Sequence, residues 1–569
     1  MDRIMRAAAG RGRAAWRALT GAPAQARPPK EKAPTSSPSG PALTKRSDPI
    51  PPMQPFPDAL YLFAVGGLPR NFAGRTSSIF AKARLFKELA GVDSAVLTFN
   101  HSSELDDVTQ LFRQRGSLIE GITTVNLLDY LPDDSTRVGP PVSHQLDEPG
   151  LHPIKDADQE LYRFYDDEGV YRIYKRFDYA GRLIVRDWFT VNRNRTRRDE
   201  FRLDGTIRRT VYMDLVQNRP RQDIYYRNDG TPHFNLWRVT EPETGRHYIE
   251  QVTLFDTEGR PSRVLGGYEE ILHSCLDNYL AGRRAFICTE ARDVDPWMLS
   301  YRRPNVKRLF VLHNTHVRAP YDNIKRIRPS YQALFAHRDE VDATVFLTDT
   351  QRAEAEAVYG KQANFRVVPH AAPAVSPEQT VERDPNLVVM MARLDPQKQI
   401  DHALRAWARV HRLLPEARLE IYGRGPLLTQ LTEQIKQLNL GSSVTLAGFT
   451  TDPHGVYRRA GLCIMTSKYE GAPLTLQEAF ALGCPVVSYD LRYGPSDIIE
   501  DGVNGFLVPY GDQRAMADTI VRCLTEPGLL ARLSSGTVPA VRPFTPESCV
   551  ARWSGLYNEL DAQGWAEPS

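Results

Sequence analysis

The chain has 569 residues, 41% hydrophobic and 25% charged; this ordinary globular balance excludes a wholly disordered or fibrous protein and, at roughly 100 to 200 residues per domain, implies three or four domains. No run reaches the roughly 18 apolar residues that suggest a bilayer span, and the start lacks the apolar core of a secretory signal, so a cytoplasmic setting is expected. The net charge of +3 is unevenly placed: residues 1–50 hold ten Lys/Arg against three Asp/Glu, which leaves the body mildly acidic.

Residues 1–54, rich in Ala, Arg, Pro, Ser and Gly, carry too few apolar side chains to offset the entropy of ordering and are expected to be a disordered basic tail. Ile4, Met5, Trp16 and Leu19 among the arginines leave two other readings open. One is a short helix on an anionic membrane surface, at the inner face of the cell membrane; the other is an organellar transit peptide. The six cysteines, Cys275, Cys288, Cys463, Cys484, Cys523 and Cys549, have no Cys-x-x-Cys or Cys/His spacing. They read as small buried hydrophobes in a reducing compartment rather than as disulfides or a zinc site.

Ala59–Val65 predicts a buried strand, followed by Gly66-Gly67, Asn71–Arg75 and a helical run over 77–90. Strand, glycine loop and helix form the first βα unit of a doubly wound lobe over 55–159, without the spacing of a dinucleotide fingerprint. Between 160 and 263 the pattern changes to YRIYKRF, LIVRDWF, IRRTVYM and IEQVTLF, separated by turns at Gly169, Gly181, Gly205, Gly230 and Gly259. These are hairpin signals and predict an antiparallel β-meander inserted in the lobe, with an imperfect internal repeat. Nineteen of its twenty basic residues are Arg, which suits an anionic polymer. The whole chain, however, has only 13 Lys among 72 Lys and Arg, so the bias is also chain-wide. Exposed edges of the meander favour self-association as a homo-oligomer.

Sheet-and-helix alternation resumes over 264–380, with strands at 284–289, 306–312, 343–347 and 364–368, and 369–385 reads as a linker. A second doubly wound lobe follows over 381–545, with strands at 386–391, 418–422, 443–446, 460–465 and 485–488. Residues 546–569 form a final packing helix and tail, with Val550, Trp553, Leu556, Tyr557 and Leu560 at helical spacing. Two α/β lobes imply a cleft.

In the second lobe, Arg393 and Lys398 sit on a loop at the carboxyl end of strand 386–391, where two cations near a helix N-terminus suit a diphosphate. Gly423 follows strand 418–422 and permits a close backbone approach. After strand 460–465 comes EGAPLTLQE, which places Glu470 before a Gly-Ala-Pro loop and Glu478 about one turn inside a helix over 474–482. In the first lobe, strand 306–312 ends in His313-Asn-Thr-His316. Asp293-Val-Asp295 has a superficial likeness to a metal-binding acid pair.

Arg393 to Lys398 with Glu470 to Glu478, Asp452-Pro-His-Gly-Val-Tyr and the stretch Tyr493-Gly-Pro-Ser-Asp-Ile-Ile499 onward resemble the retaining GT-B glycosyltransferases of family 4. With the meander, the chain resembles the poly(glycerol-phosphate) α-glucosyltransferase type of wall teichoic acid enzyme and, equally, the GlcNAc-transferase subunit of the accessory secretion system. The resemblance implies transfer of glucose or GlcNAc from a nucleotide diphosphate sugar, UDP-linked, to a hydroxyl of a polymeric or protein acceptor, with no metal and no other cofactor. It implies catalytic roles for Arg393, Lys398, Glu470 and one of His313 or His316, the former preferred. Donor contacts would come from Gly66, Gly67, Gly423, Gly471, Ala472, Pro473, Leu474, Thr475 and Glu478, the last accepting from the ribose hydroxyls. Nucleic acid is not an expected partner. A reading from another class is a non-catalytic, glycan-binding adaptor with the same fold.

Overall fold

The computed structural model describes residues 52–70, 74–131, 140–156, 160–178, 180–374 and 382–565. All but the end of the basic tail, residues 71–73 of the first glycine loop and the middle of the 369–385 linker lie outside these residues.

The strands of the first sheet are β1 Leu60–Val65, β2 Ser94–Thr98, β3 Ile122–Asn126, β14 Ala285–Thr289, β15 Val306–Val311, β16 Ala343–Phe346 and β17 Phe365–Val367. All seven are parallel, in the order β17-β16-β15-β14-β1-β2-β3. β1, β2 and β14 are runs of small, β-branched and aromatic side chains buried on both faces, as a sheet covered by helices on two sides requires. The order reverses between β1 and β14, so the loops after these strands diverge and open a crevice at their carboxyl ends.

The connection from β3 to β14 contains the meander, ten antiparallel strands in unbroken chain order. They are β4 His152–Lys155, β5 Leu161–Tyr165, β6 Tyr171–Phe177, β7 Leu183–Phe189, β8 Arg195–Phe201, β9 Ile207–Asp214, β10 Arg219–Tyr226, β11 Pro232–Thr240, β12 His247–Phe255 and β13 Pro261–Leu265. The sheet therefore starts at His152, eight residues before the change of composition at 160; β4 is exposed along its length and carries no alternation to betray it. All five glycines read as turn residues have φ between +75° and +85°, the left-handed geometry that closes a three-residue hairpin loop. Each of these glycine amides donates back to the residue three before it, as Gly181 does to Asp178 and Gly205 to Arg202. Tyr225, Phe234, Leu236, Val252 and Leu265 join the first lobe's hydrophobic core, so the insertion is fixed to that lobe.

The second lobe has six strands: β18 Asp384–Met391, β19 Arg418–Tyr422, β20 Val444–Gly448, β21 Ala460–Met465, β22 Val486–Tyr489 and β23 Gly505–Val508. They are parallel, in the order β20-β19-β18-β21-β22-β23. β18 begins inside the expected linker, where Asp384 pairs in register with Ala460 of β21 and its carboxylate pairs with Arg418. The helix Ile400–Leu413 buries Ile400, Ala403, Leu404, Trp407 and Val410, one stripe at helical spacing. This lobe has its own core and its own reversal, between β18 and β21.

The helix Pro546–Ala562, opened by Thr545 accepting from the Ser548 amide, leaves the second lobe. Its Val550, Trp553, Leu556, Tyr557 and Leu560 lie in the first lobe's core, so the chain crosses between lobes twice. All six cysteines are buried and none is in a disulfide.

Candidate active site at the cleft

The two loops at the second lobe's strand-order reversal are stitched to each other. The Lys468 amide donates to the Gln397 carbonyl at 2.7 Å, and the Gln397 side-chain amide donates to the Tyr469 carbonyl at 3.0 Å. Lys398 Nζ lies 2.6 Å from Glu470 Oε1, with both side chains nearly buried. A cation and a carboxylate are thus held together at the place where an open α/β sheet binds ligands. Arg393 is on the same loop but mostly exposed, its guanidinium turned to Asp395 at 2.8 Å.

Glu478 lies on the helix Leu474–Ala481, behind the EGAP loop. Burial pushes its carboxyl above the ordinary range, against the Tyr457 hydroxyl beside it. A half-buried carboxyl whose charge is poorly solvated is well placed to gain from hydroxyl donors. Leu474 and Thr475 open this helix, Pro473 is its N-cap, and no side chain caps it, which leaves amides at its start for an anion or a sugar oxygen.

Two glycines serve packing. A Cβ on Gly423 would come within 1.8 Å of the Ala392 carbonyl oxygen, at φ +148°, so only glycine fits against the backbone that follows β18. A Cβ on Gly471 would come within 2.4 Å of the His313 carbonyl oxygen, so the EGAP loop touches the first lobe's backbone there. The partly buried Ala472 packs against the first lobe's core. On the opposite wall, Gly66 leaves room for the Asp293 carboxylate, 1.9 Å from where its Cβ would be, while nothing stands within 4 Å of a Cβ on Gly67.

His313 and His316 differ in kind. His313 Nε2 is 2.5 Å from Glu290 Oε2, and Glu290 also pairs with Lys82. Burial opposes the charge on Glu290, but Lys82 and His313 outweigh it and hold the carboxyl down at about 2. With Glu290 ionised, Nε2 of a neutral His313 carries the proton and Nδ1 is left as an acceptor. Burial lowers the pKa of His313, and the His370 ring stacks on it at 5.4 Å. His316 is fully buried, stacked on Tyr493 at 5.7 Å, and lowered to about 4 by burial and Arg492. Only His313 joins the charged cluster at the ends of β14 and β15.

Asp293 and Asp295 do not form a pair. Asp295 is buried at the start of a short helix beside Arg292, while Asp293 faces Gly66. Among the described residues no group of three or more His, Cys, Asp or Glu is gathered that could hold a metal. Several meander arginines are consumed by carboxylates of the sheet: Arg198 by Asp187 and Arg209 and Arg238 by Asp223 across strands, and Arg197 by Asp199 within β8. Sequence reasoning missed Lys82, Glu290, Gln397 and His370. Glu290, a charged residue directly after a buried strand, was the one with a readable signal.

The glycosyl transferases group 1 family model matches residues 374–537, the second lobe. The chain is 23% identical over 520 residues to the poly(glycerol-phosphate) alpha-glucosyltransferase of Bacillus subtilis strain 168, covering 89% of this chain and 76% of that protein. It is also 23% identical over 497 residues to the poly(ribitol-phosphate) alpha-N-acetylglucosaminyltransferase of Staphylococcus aureus strain COL, covering 86% and 97%. A crystal structure of S. aureus TarM in complex with fondaparinux, alpha-GlcNAc-glycerol and UDP superposes with a TM-score of 0.71 at 21% identity, covering 88% of this chain and all of that one. The fold is GT-B. The meander is part of this likeness, since a coverage of 88% exceeds what the two GT-B lobes alone supply.

Proposed function

We propose that the protein is a glycosyltransferase that moves glucose or GlcNAc from a UDP-sugar to a hydroxyl of a polymeric acceptor, with retention of the anomeric configuration. The observation that carries this reading is the Lys398–Glu470 pair at the second lobe's reversal point, with Glu478 behind it and His313 across the Gly471 contact. The matched family model and the teichoic-acid relatives support it.

In this scheme Glu478 accepts from the ribose hydroxyls, and the amides opening the helix Leu474–Ala481 hold sugar or phosphate oxygens. Arg393, freed from Asp395, and Lys398 stabilise the diphosphate as it leaves, in a site dried by lobe contact. Glu470 lies beside the transferred sugar and keeps Lys398 in place, and His313 accepts from a sugar hydroxyl through Nδ1. The glycosidic bond to the diphosphate breaks through an oxocarbenium-like ion pair, the acceptor hydroxyl attacks from the same face, and its proton passes to the leaving phosphate. The scheme needs no divalent metal, so EDTA leaves the rate unchanged; a strict Mn²⁺ requirement contradicts it.

For the acceptor we favour a polyol-phosphate polymer, on the likeness to the two teichoic-acid enzymes; the paired arginines of the meander no longer add to this choice. The likeness to GtfA-type GlcNAc-transferases, 30% identical over 241 residues in Streptococcus gordonii, keeps a Ser/Thr-rich protein as the second reading. Incubation with UDP-glucose or UDP-GlcNAc and either poly(glycerol phosphate), poly(ribitol phosphate) or a Ser-rich peptide decides between them. The anomeric coupling of the product, read by NMR, tests retention. Failure of every pair, with UDP still bound, favours a glycan-binding adaptor.

A further inference from the structure

The segment Arg492–Asp497 has no part in the donor chemistry above, yet it joins the lobes. Glu354 lies on the first lobe's helix Asp349–Tyr359. Its carboxylate accepts from Arg492 Nε at 2.8 and 2.9 Å and from the Tyr493 hydroxyl at 2.6 Å, both in the second lobe. Among the described residues these are all the hydrogen bonds its side chain makes. Arg492 also donates to the Tyr321 carbonyl at 2.8 Å, and the Thr350 amide, in the same helix as Glu354, donates to Asp497 Oδ1 at 3.1 Å. The Tyr493 ring is 1% exposed and lies against His316.

The same two residues hold the backbone of Glu470. The Glu470 amide donates to the Arg492 carbonyl at 2.9 Å, and the Tyr493 amide donates to the Glu470 carbonyl at 3.1 Å. On the other side of Glu470, the Tyr469 ring lies 4.7 Å from that of Tyr321 and 4.5 Å from the Arg328 guanidinium, both in the first lobe. The main chain of Glu470 is therefore gripped by residues that are themselves gripped by the opposite lobe.

We propose that Glu354 is a positioning residue for Glu470: by binding Arg492 and Tyr493 it latches the lobes and sets the main chain that carries the sugar-side carboxylate. When the lobes part, the carboxylate, the guanidinium and the phenol all return to water, so the latch opens readily. Glu470 takes its working position when the latch is shut, and the Arg492 to Asp497 stretch thereby acquires a role without touching the donor. The consequence for catalysis rests on the proposed function; the latch itself does not.

The test uses the full-length protein and the Glu354→Gln variant, which keeps the side-chain length and removes the charge. We expect kcat for UDP-sugar turnover to fall at least tenfold while the dissociation constant for UDP alone, measured by calorimetry, stays within twofold. Small-angle scattering without ligand should give a larger radius of gyration than for the wild type. Tyr493→Phe, which keeps the charge pair, should lie between wild type and Glu354→Gln in both readouts, and it stands in should Glu354→Gln fail to fold. Turnover within twofold of wild type, or UDP affinity falling in step with kcat, overturns the positioning role. An unchanged radius of gyration overturns the latch even if the wild type turns over no UDP-sugar, an outcome that would remove the donor reading separately.

Discussion

Replacing Lys398 by Ala removes the cation 2.6 Å from Glu470 and leaves that carboxylate nearly buried, with the Gln397 amide, 3.4 Å away, beside its other oxygen. A hydrogen bond to a charged group is worth about 1.5–3 kcal/mol in stability, so a fall in thermal midpoint is expected, softened by solvent entering the cleft. The catalytic cost is larger, because Lys398 is assigned to the charge that develops on the departing diphosphate. Loss of one preorganised group of this kind costs about 2.7–4 kcal/mol, roughly a hundredfold to a thousandfold in rate. Glu470→Ala should lose at least as much. The double variant should lose little more than the worse single one, since the two side chains act as a unit. The assay is UDP release at saturating donor, with folding checked by the thermal midpoint. A loss below tenfold in Lys398→Ala would refute the assignment, as would two single effects that simply add.

Three further outcomes follow from the geometry. Arg393→Ala should slow transfer without moving the thermal midpoint, because the side chain is mostly exposed and pairs only locally; a midpoint shift with normal turnover would argue for a structural role. Gly471→Ala drives a Cβ to 2.4 Å from the His313 carbonyl oxygen, so turnover should fall at least tenfold while UDP binding, confined to the second lobe, stays within threefold by calorimetry; normal turnover would mean that the lobes work further apart. Asp295 is buried, and burial, opposed by Arg292 and helped by Asp293, pushes its carboxyl up to about 7. The native state keeps this proton while the unfolded chain loses it, so this contribution to stability is present below about pH 4 and is lost as pH rises through 7. Asp295→Asn should therefore stabilise the protein relative to wild type increasingly from pH 4 to 7, by a few kcal/mol at most. Parallel pH–stability curves in urea would contradict the assignment.

Much of the fold was legible because its signals are local. Buried runs such as Leu60–Val65 and Ala460–Met465, and the repeated Asp-Gly turns of the meander, announce their geometry through side chains within a few residues. Strand β4 was not legible, since His152–Lys155 is exposed and has no alternation. The placement of Arg393, Lys398 and Glu470 was legible for a related reason: they follow strands whose carboxyl ends define the crevice. Lys82, Glu290 and Glu354 lie in the first lobe, far in sequence from what they touch, and the contact of Glu354 with Arg492 spans 138 residues. The folding of the first lobe's sheet brings Lys82 to Glu290, and the packing of the lobes brings Glu354 to Arg492. At Gly423 and Gly471 the side where a Cβ would stand meets another stretch of the chain's own backbone, a contact distant in sequence that no local signal announces.

The central claim is that the second lobe binds a nucleotide sugar through Glu478. Saturation-transfer NMR with UDP-glucose and UDP-GlcNAc in competition, run beside the Glu478→Ala variant, tests it most directly. Selective saturation of one donor, lost in the variant, is the expected result and names the sugar to carry into acceptor assays. Saturation of neither donor in the wild type, or equal saturation in the variant, would contradict the account.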